Sequence, residues 1–192
     1  LTSDYKFEAI YFDDDTFNIG NKHTVEISKV AGKYNIPWFA MCRADTCKKE
    51  NWKIMRDNGC KGVKIGIESG SQYVVDKIVN KHLDLDYTNQ LVEHLRSLNM
   101  SVHGTFTYGL PGETKEQMLE TKEFIKRTNF NTVQESGTAE IEGTPLHTLN
   151  SKNLKNYPDL LDNFLLVDKQ NIFKKYYEDQ NNIKNKTQII KL

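Results

Sequence analysis

Cysteine is scarce in this chain of 192 residues, and the three present (Cys42, Cys47 and Cys60) are odd in number. That excludes a secreted disulfide scaffold and indicates a reducing, cytoplasmic setting. A zinc site is excluded as well, because Cys42-x4-Cys47 has no second Cys or His pair beside it. Charge of one sign is also missing: 26 Lys and Arg balance 26 Asp and Glu. No extensive nucleic-acid surface is therefore expected, since such a surface shows as a strongly basic domain. No apolar run approaches the roughly 18 residues that span a bilayer; Trp38–Cys42 and Phe164–Val167 are the longest candidates. No signal peptide or internal repeat is visible in these residues, and residue 1 is Leu rather than Met.

What is present is a rhythm. Short apolar runs at 7–12, 37–42, 62–67, 100–107 and 131–136 read as strands, alternating with helix-period segments at 22–34, 48–58, 86–98 and 114–127. The first helix carries Ile27, Val30, Ala31 and Tyr34 at helical spacing, and the third carries Tyr87, Leu91, Leu95 and Leu98. Helix starts are marked by Asp84 or Asp86 and by the capping box Thr114-x-x-Gln117; Asn58-Gly59 marks a stop. Strand starts lie at βα-unit spacing, which predicts an α/β chain with a parallel sheet, either a barrel of βα units or an open doubly wound sheet. Beyond about residue 150 the texture changes. Residues 151–192 read as a separate tail, helical and then a frayed polar end, with Ile172, Phe173, Tyr176 and Tyr177 as an amphipathic stripe.

Parallel βα architectures gather function at the carboxyl ends of their strands. After the successive strands come Asp13-Asp14-Asp15-Thr16, Arg43-Ala44-Asp45, Glu68-Ser69-Gly70-Ser71, Tyr108-Gly109-Leu110-Pro111-Gly112-Glu113 and a Glu140-x-Glu142-Gly143-Thr144-Pro145 segment. Every unusual cluster thus falls on one rim. Carboxylates, an arginine and glycine-rich loops suit a small zwitterionic or nucleoside-like ligand. His94, His103 and the cysteines read as packing residues.

Five segments in order, Phe12-x-Asp14-Asp15-Thr16-Phe17, Cys42-Arg43-x-Asp45, Gly66-Ile67-Glu68-Ser69-Gly70-Ser71, Gly109-Leu110-Pro111-Gly112-Glu113-Thr114 and Gly143-Thr144-Pro145-Leu146, make residues 7–149 resemble the radical S-adenosylmethionine (SAM) enzymes. The branch they resemble often carries a cobalamin-binding domain ahead of the radical domain. The resemblance implies a partial (β/α)6 TIM-like barrel over residues 1–150, holding SAM and a 4Fe–4S cluster, with a 5′-deoxyadenosyl radical abstracting hydrogen from an unknown small-molecule or peptide substrate. An electron donor for the cluster is a further implied partner, and cobalamin in an upstream domain a further cofactor. It also implies Asp14 and Asp15 near the SAM amino group, Glu68 at the ribose, and Arg43 and Ser71 around the methionyl and ribose parts. Thr107, Tyr108, Gly109 and Leu110 would give backbone and apolar contact to adenine, and Gln134 and Ser136 match the family's last strand.

The family's Cys-x3-Cys-x2-Cys loop has no counterpart among the three cysteines, so no metal ligand is assigned. The chain is expected to lack the barrel's first strand and its cluster loop, and to be inactive alone. Two alternatives stand beside this reading. One is a non-catalytic barrel that binds SAM or docks a partner through the tail stripe. The other is a haloacid dehalogenase-type phosphatase, for which Asp13 and Asp15 have the right separation but Thr16 comes one position early.

Overall fold

A computed structural model describes residues 8–138. The Gly143-Thr144-Pro145-Leu146 segment and the tail, with its stripe, lie outside the described residues. Five strands, β1 (Ile10–Phe12), β2 (Trp38–Cys42), β3 (Cys60–Glu68), β4 (Ser101–Tyr108) and β5 (Thr132–Gly137), form one sheet in the order β1-β2-β3-β4-β5. Every neighbouring pair is parallel. The helices α1 (Asn21–Gly32), α2 (Lys49–Asp57), α3 (Leu85–Ser97) and α4 (Lys115–Arg127) alternate with them.

That order decides between the two architectures the sequence allows. Each crossover steps to the next strand in the same direction, and right-handed crossovers then place all the helices on one face. A doubly wound sheet would reverse direction. The result is an open segment of a βα barrel.

Burial alternates accordingly. Trp38, Ala40, Cys42, Val63, Ile65, Ile67, Val102, Phe106 and Tyr108 are buried on the helix-covered face. The residues between them, among them Met41, Lys64, Glu68, His103 and Thr107, are only half-buried. The buried face closes around rings: Phe12, Phe17 and Trp38 meet at centroid distances of 5.0–5.5 Å. Phe106 and Phe130 meet edge-on at 5.7 Å. Each such side chain contributes about 1.5–3 kcal/mol through burial.

Helix starts follow their chemistry. Asp84 caps α3 by accepting from the Tyr87 amide, and Thr114 and Gln117 complete the reciprocal capping box of α4. The expected stripe of α1 is corrected: Val30 and Tyr34 are exposed, and the buried positions are Thr24, Ser28 and Ala31. The small hydroxyl residues fit because Thr24 Oγ1 donates to the Gly20 carbonyl and Ser28 Oγ to the Thr24 carbonyl, which satisfies both of these buried hydroxyls. Tyr87 is likewise more exposed than a core residue, and α3 buries Leu85, Thr88 and Val92 beside Leu91 and Leu95. A short π-helical segment, Val74–Ile78, was not expected.

Gly70 shows how tightly the rim is packed. A Cβ there would lie 2.4 Å from Phe124 Cβ and 2.7 Å from Thr121 Cα on α4. Gly70→Ala is therefore expected to lower stability by about 1–3 kcal/mol, read as a fall in the urea midpoint. An unchanged midpoint would show that α4 is free to retreat.

Candidate functional site

A cleft of about 340 Å³ opens on the bare face of the sheet at the strand carboxyl ends. Asp15 and Thr16 after β1, Met41, Cys42 and Arg43 at β2, Lys64, Gly66 and Glu68 of β3, Thr105 and Thr107 of β4, and Gln134 and Ser136 of β5 all line it. Five separate strands thus contribute to one wall, as the distribution of motifs predicts.

Glu68 is its organising group. The β3–β4 register passes from Gly66↔Thr105 to Glu68↔Phe106, so Ile67 is extra, and Glu68 takes φ 71°. A bulge next to a site re-aims a side chain, and a left-handed non-glycine residue costs about 1–2 kcal/mol. The turned carboxylate accepts from Lys81 Nζ at 3.0 Å on Oε1 and from Thr107 Oγ1 at 3.3 Å on Oε2. Lys81 Nζ also donates to the Gly66 carbonyl at 2.7 Å. Gly66 leaves room for this pair: a Cβ would stand 2.7 Å from Glu68 Oε1 and 3.1 Å from Lys81 Nζ. Lys81 follows the π-helical segment, and sequence reasoning missed it because no strand precedes it. Its only signal was a lysine in the connection that Asn80 and His82, both at positive φ, bend sharply.

Arg43 donates to Asp45 through Nε at 2.9 Å and Nη2 at 2.8 Å, and to the Lys81 carbonyl at 3.0 Å. The two-pronged bond holds the Asp45 carboxyl below its usual range and raises the guanidinium. Arg43 therefore faces the cleft as a fixed, largely neutralised plane.

The other expected site residues divide. Asp15 and Thr107 line the cleft. Asp14 is exposed but outside the lining. Ser71 is buried beneath the rim, its amide donating to Ser69 Oγ. Alternation sends the Tyr108 side chain to the helix-covered face, where its hydroxyl donates to Glu135 Oε1 at 3.0 Å, so the expected contact from this residue falls to its backbone. The Gly109 and Leu110 amides are already engaged, donating to Glu113 Oε2 at 2.7 and 3.1 Å. What those two residues keep for a ligand is the half-exposed Leu110 side chain and the Gly109 carbonyl. Asp13 and Asp15 do not converge, since only Asp15 lines the cleft.

The model of the radical SAM superfamily matches residues 5–125. The chain belongs to that superfamily. This sets aside the phosphatase alternative. Among relatives, it is 28% identical to the cytidylyl-2-hydroxyethylphosphonate methyltransferase of Streptomyces wedmorensis, over 76% of this chain and 29% of that protein. It is 31% identical to a ribosomal protein uS12 methylthiotransferase of Phocaeicola vulgatus, over 62% and 28%. Among solved structures, coproporphyrinogen III oxidase of Escherichia coli, a radical SAM enzyme, superposes with a TM-score of 0.67 at 14% identity, over 83% of this chain and 40% of that one. The radical SAM methyltransferase TsrM of Kitasatospora setae, solved with cobalamin and an iron–sulfur cluster bound, gives 0.63 at 15%, over 70% and 26%. These likenesses confirm the partial-barrel fold. The chain spans less than a third of the length of the curated relatives it matches.

The cysteines behave as interior residues. All three are buried, and burial pushes each thiol up, Cys60 to about 12. Thiolate ligands need the opposite shift. No group of three or more His, Cys, Asp or Glu that could hold a metal ion occurs among the described residues. No helix among them is long and apolar enough to cross a membrane.

Glu113, part of the segment after β4 that carries the resemblance but assigned no role of its own, is buried. It is 1% exposed, its Oε1 has no partner among the described residues, and desolvation raises it from 4.5 to about 7 against the pull of two amides. The fold thus favours the protonated carboxyl. Its contribution is full below pH 4.5 and is lost as pH rises to about 7. Glu113→Gln keeps the acceptor and cannot ionise, so it is expected to be the more stable protein at pH 8 by on the order of 3 kcal/mol. Denaturant midpoints between pH 5 and 8 test this; parallel profiles for the two proteins would contradict it.

Proposed function

We propose that the cleft binds SAM, and that the chain is part of a radical SAM enzyme whose cluster ligands come from residues other than its three buried cysteines. The carrying observation is Glu68, a carboxylate turned into the cleft by a bulge and held there by Lys81. The volume lies within the range of small-molecule sites, roughly 300–1,000 Å³, and the donor set matches the zwitterionic nucleoside. Glu68 has lone pairs left for a vicinal diol, and the space a Cβ at Gly66 would fill keeps its carboxylate accessible. Asp15 offers an acceptor for an ammonium. Arg43 keeps Nη1, outside its bonds to Asp45 and to the Lys81 carbonyl, as a donor to a carboxylate, and Met41 offers apolar contact for a flat base.

When SAM is bound beside a reduced 4Fe–4S cluster, the chemistry supplied is a 5′-deoxyadenosyl radical that takes hydrogen from substrate. The chain's own residues bind and orient. Glu68 fixes the ribose, the Arg43–Asp45 pair presents a rigid edge, and the Glu113-held turn sets the position of Leu110. The methyltransferase and methylthiotransferase relatives favour group transfer to substrate as the outcome, with cobalamin in an upstream domain where the whole protein carries one. An electron donor and a soluble, cytoplasmic setting belong to the same reading.

Calorimetric titration of this chain with SAM tests the reading. One SAM per chain is expected, with Glu68→Ala binding about 10- to 100-fold more weakly, the effect of losing a charge-assisted hydrogen bond. Equal affinity of the two proteins would remove Glu68, and with it the cleft, from the site.

A further inference from the structure

The bare face of the sheet continues below the cleft, and there its side chains are not what a barrel interior requires. A closed eight-stranded barrel fills its inner face with branched apolar residues, and this open sheet does not. Here the register aligns Met41, Lys64, His103 and Thr132 in a single row across four strands. One level nearer the carboxyl ends, Gly66, Thr105 and Gln134 form the next row. His103 Nδ1 lies 2.7 Å from Thr132 Oγ1, and Lys64 Nζ donates to Gln134 Oε1 at 3.5 Å. His103 Nε2 has no hydrogen-bond partner among the described residues, and Lys64 has no carboxylate within 4.0 Å among them. Below the row, Tyr11, Phe39, Gly62 and Ser101 join Lys64 and His103 around a hollow of about 180 Å³. Gly62 is hemmed in, since a Cβ would lie 2.8 Å from the Ser101 carbonyl and 3.1 Å from Phe39. Lys64 lines both this hollow and the cleft above.

We propose that Lys64 and His103, with Gln134 from the row above, form a subsite for a phosphoryl or phosphonyl group of the substrate, continuous with the cleft. The proposal rests on reading that cleft as the SAM site. With no carboxylate opposing it among the described residues, the Lys64 ammonium offers an entering anion a charge-assisted hydrogen bond. Gln134, its carbonyl oxygen turned to Lys64, keeps its amide protons for an oxyanion. Burial and the neighbouring Lys64 hold His103 below its ordinary value, so it is neutral at pH 7 in the empty row. A phosphoryl dianion carries close to two charges and three acceptor oxygens, enough to neutralise Lys64 and to draw a proton onto His103. A carboxylate carries one charge, which Lys64 alone matches. The titratable groups sharing the hollow with His103 are Lys64 from β3 and Tyr11 from β1; β5 brings only Thr132 and Gln134.

The test follows the His103 imidazole by NMR through a pH titration of the full chain with methylphosphonate, with acetate and with neither. Methylphosphonate is expected to raise the His103 midpoint clearly and acetate little. Lys64→Met is expected to weaken methylphosphonate binding about tenfold, with Lys64→Gln as the second variant should Met disturb the fold. An unmoved His103, or methylphosphonate bound as tightly by the folded Lys64 variant as by the unaltered chain, overturns the subsite. Acetate acting as strongly as methylphosphonate overturns the phosphoryl class. SAM calorimetry on the same samples separates the two readings: SAM binding with a silent His103 overturns this subsite alone, and a responding His103 without SAM binding supports the subsite and overturns the cleft reading alone.

Discussion

Successive crossovers, each stepping to the adjacent strand and right-handed as such connections are, leave a parallel sheet whose helices, among the described residues, lie on one side. Everything else in this molecule is arranged around that asymmetry. The covered face takes the apolar half of each strand, from Trp38 to Phe106, and its burial holds the domain together. The bare face is released from packing. It can therefore carry Lys64, Glu68, His103 and Gln134, groups that a sandwiched sheet would have to satisfy or exclude. Because the strands are parallel, the loops with unusual composition all return to one rim of that face, where radical SAM enzymes are expected to bind their cofactor.

Within the rim, unfavourable local states are held by neighbours. Glu68 occupies a left-handed backbone conformation, offset by the Lys81 ammonium, which also anchors the Gly66 carbonyl. Glu113 is desolvated and anchored by two amides of the Gly109–Leu110 turn. Arg43 is fixed by Asp45 on one side and by the Lys81 carbonyl on the other. The contacts from Arg43 to Lys81, from Lys81 to Glu68 and from Glu68 to Thr107 join the ends of β2, β3 and β4, while Glu113 holds its own turn. Such concentration of strain and buried polarity is the usual mark of a site rather than of a scaffold.

The strands and helices were legible because each combines period with punctuation, as α4 does with its capping box and β3 with its run from Gly62 to Ile67. The rim was legible because topology alone sends the loops there. Three things were not. The buried stripe of α1 is built on Thr24 and Ser28, whose hydroxyls bond back into the helix, so hydrophobicity points to the wrong face. Tyr108 sits beside site residues in sequence, but strand alternation turns it away, and only the register shows which half of β4 faces inward. Lys81 and His103 take their places through partners far along the chain, Glu68 thirteen residues before Lys81 and Thr132 on the next strand, while the burial of Glu113 over its own turn is set by tertiary packing. Spacing rules do not encode such pairings, which is why His103 read as a packing residue.

The most direct test of the central claim, that the bare rim organised by Glu68 is the SAM site, is a crystal structure of this chain with SAM bound. The account predicts the ribose hydroxyls within hydrogen-bond distance of Glu68 and the methionyl end between Asp15 and Arg43, with the Glu68–Lys81 pair retained. Electron density for SAM against the helix-covered side, or in the cleft with Glu68 turned away from the ribose, would contradict it.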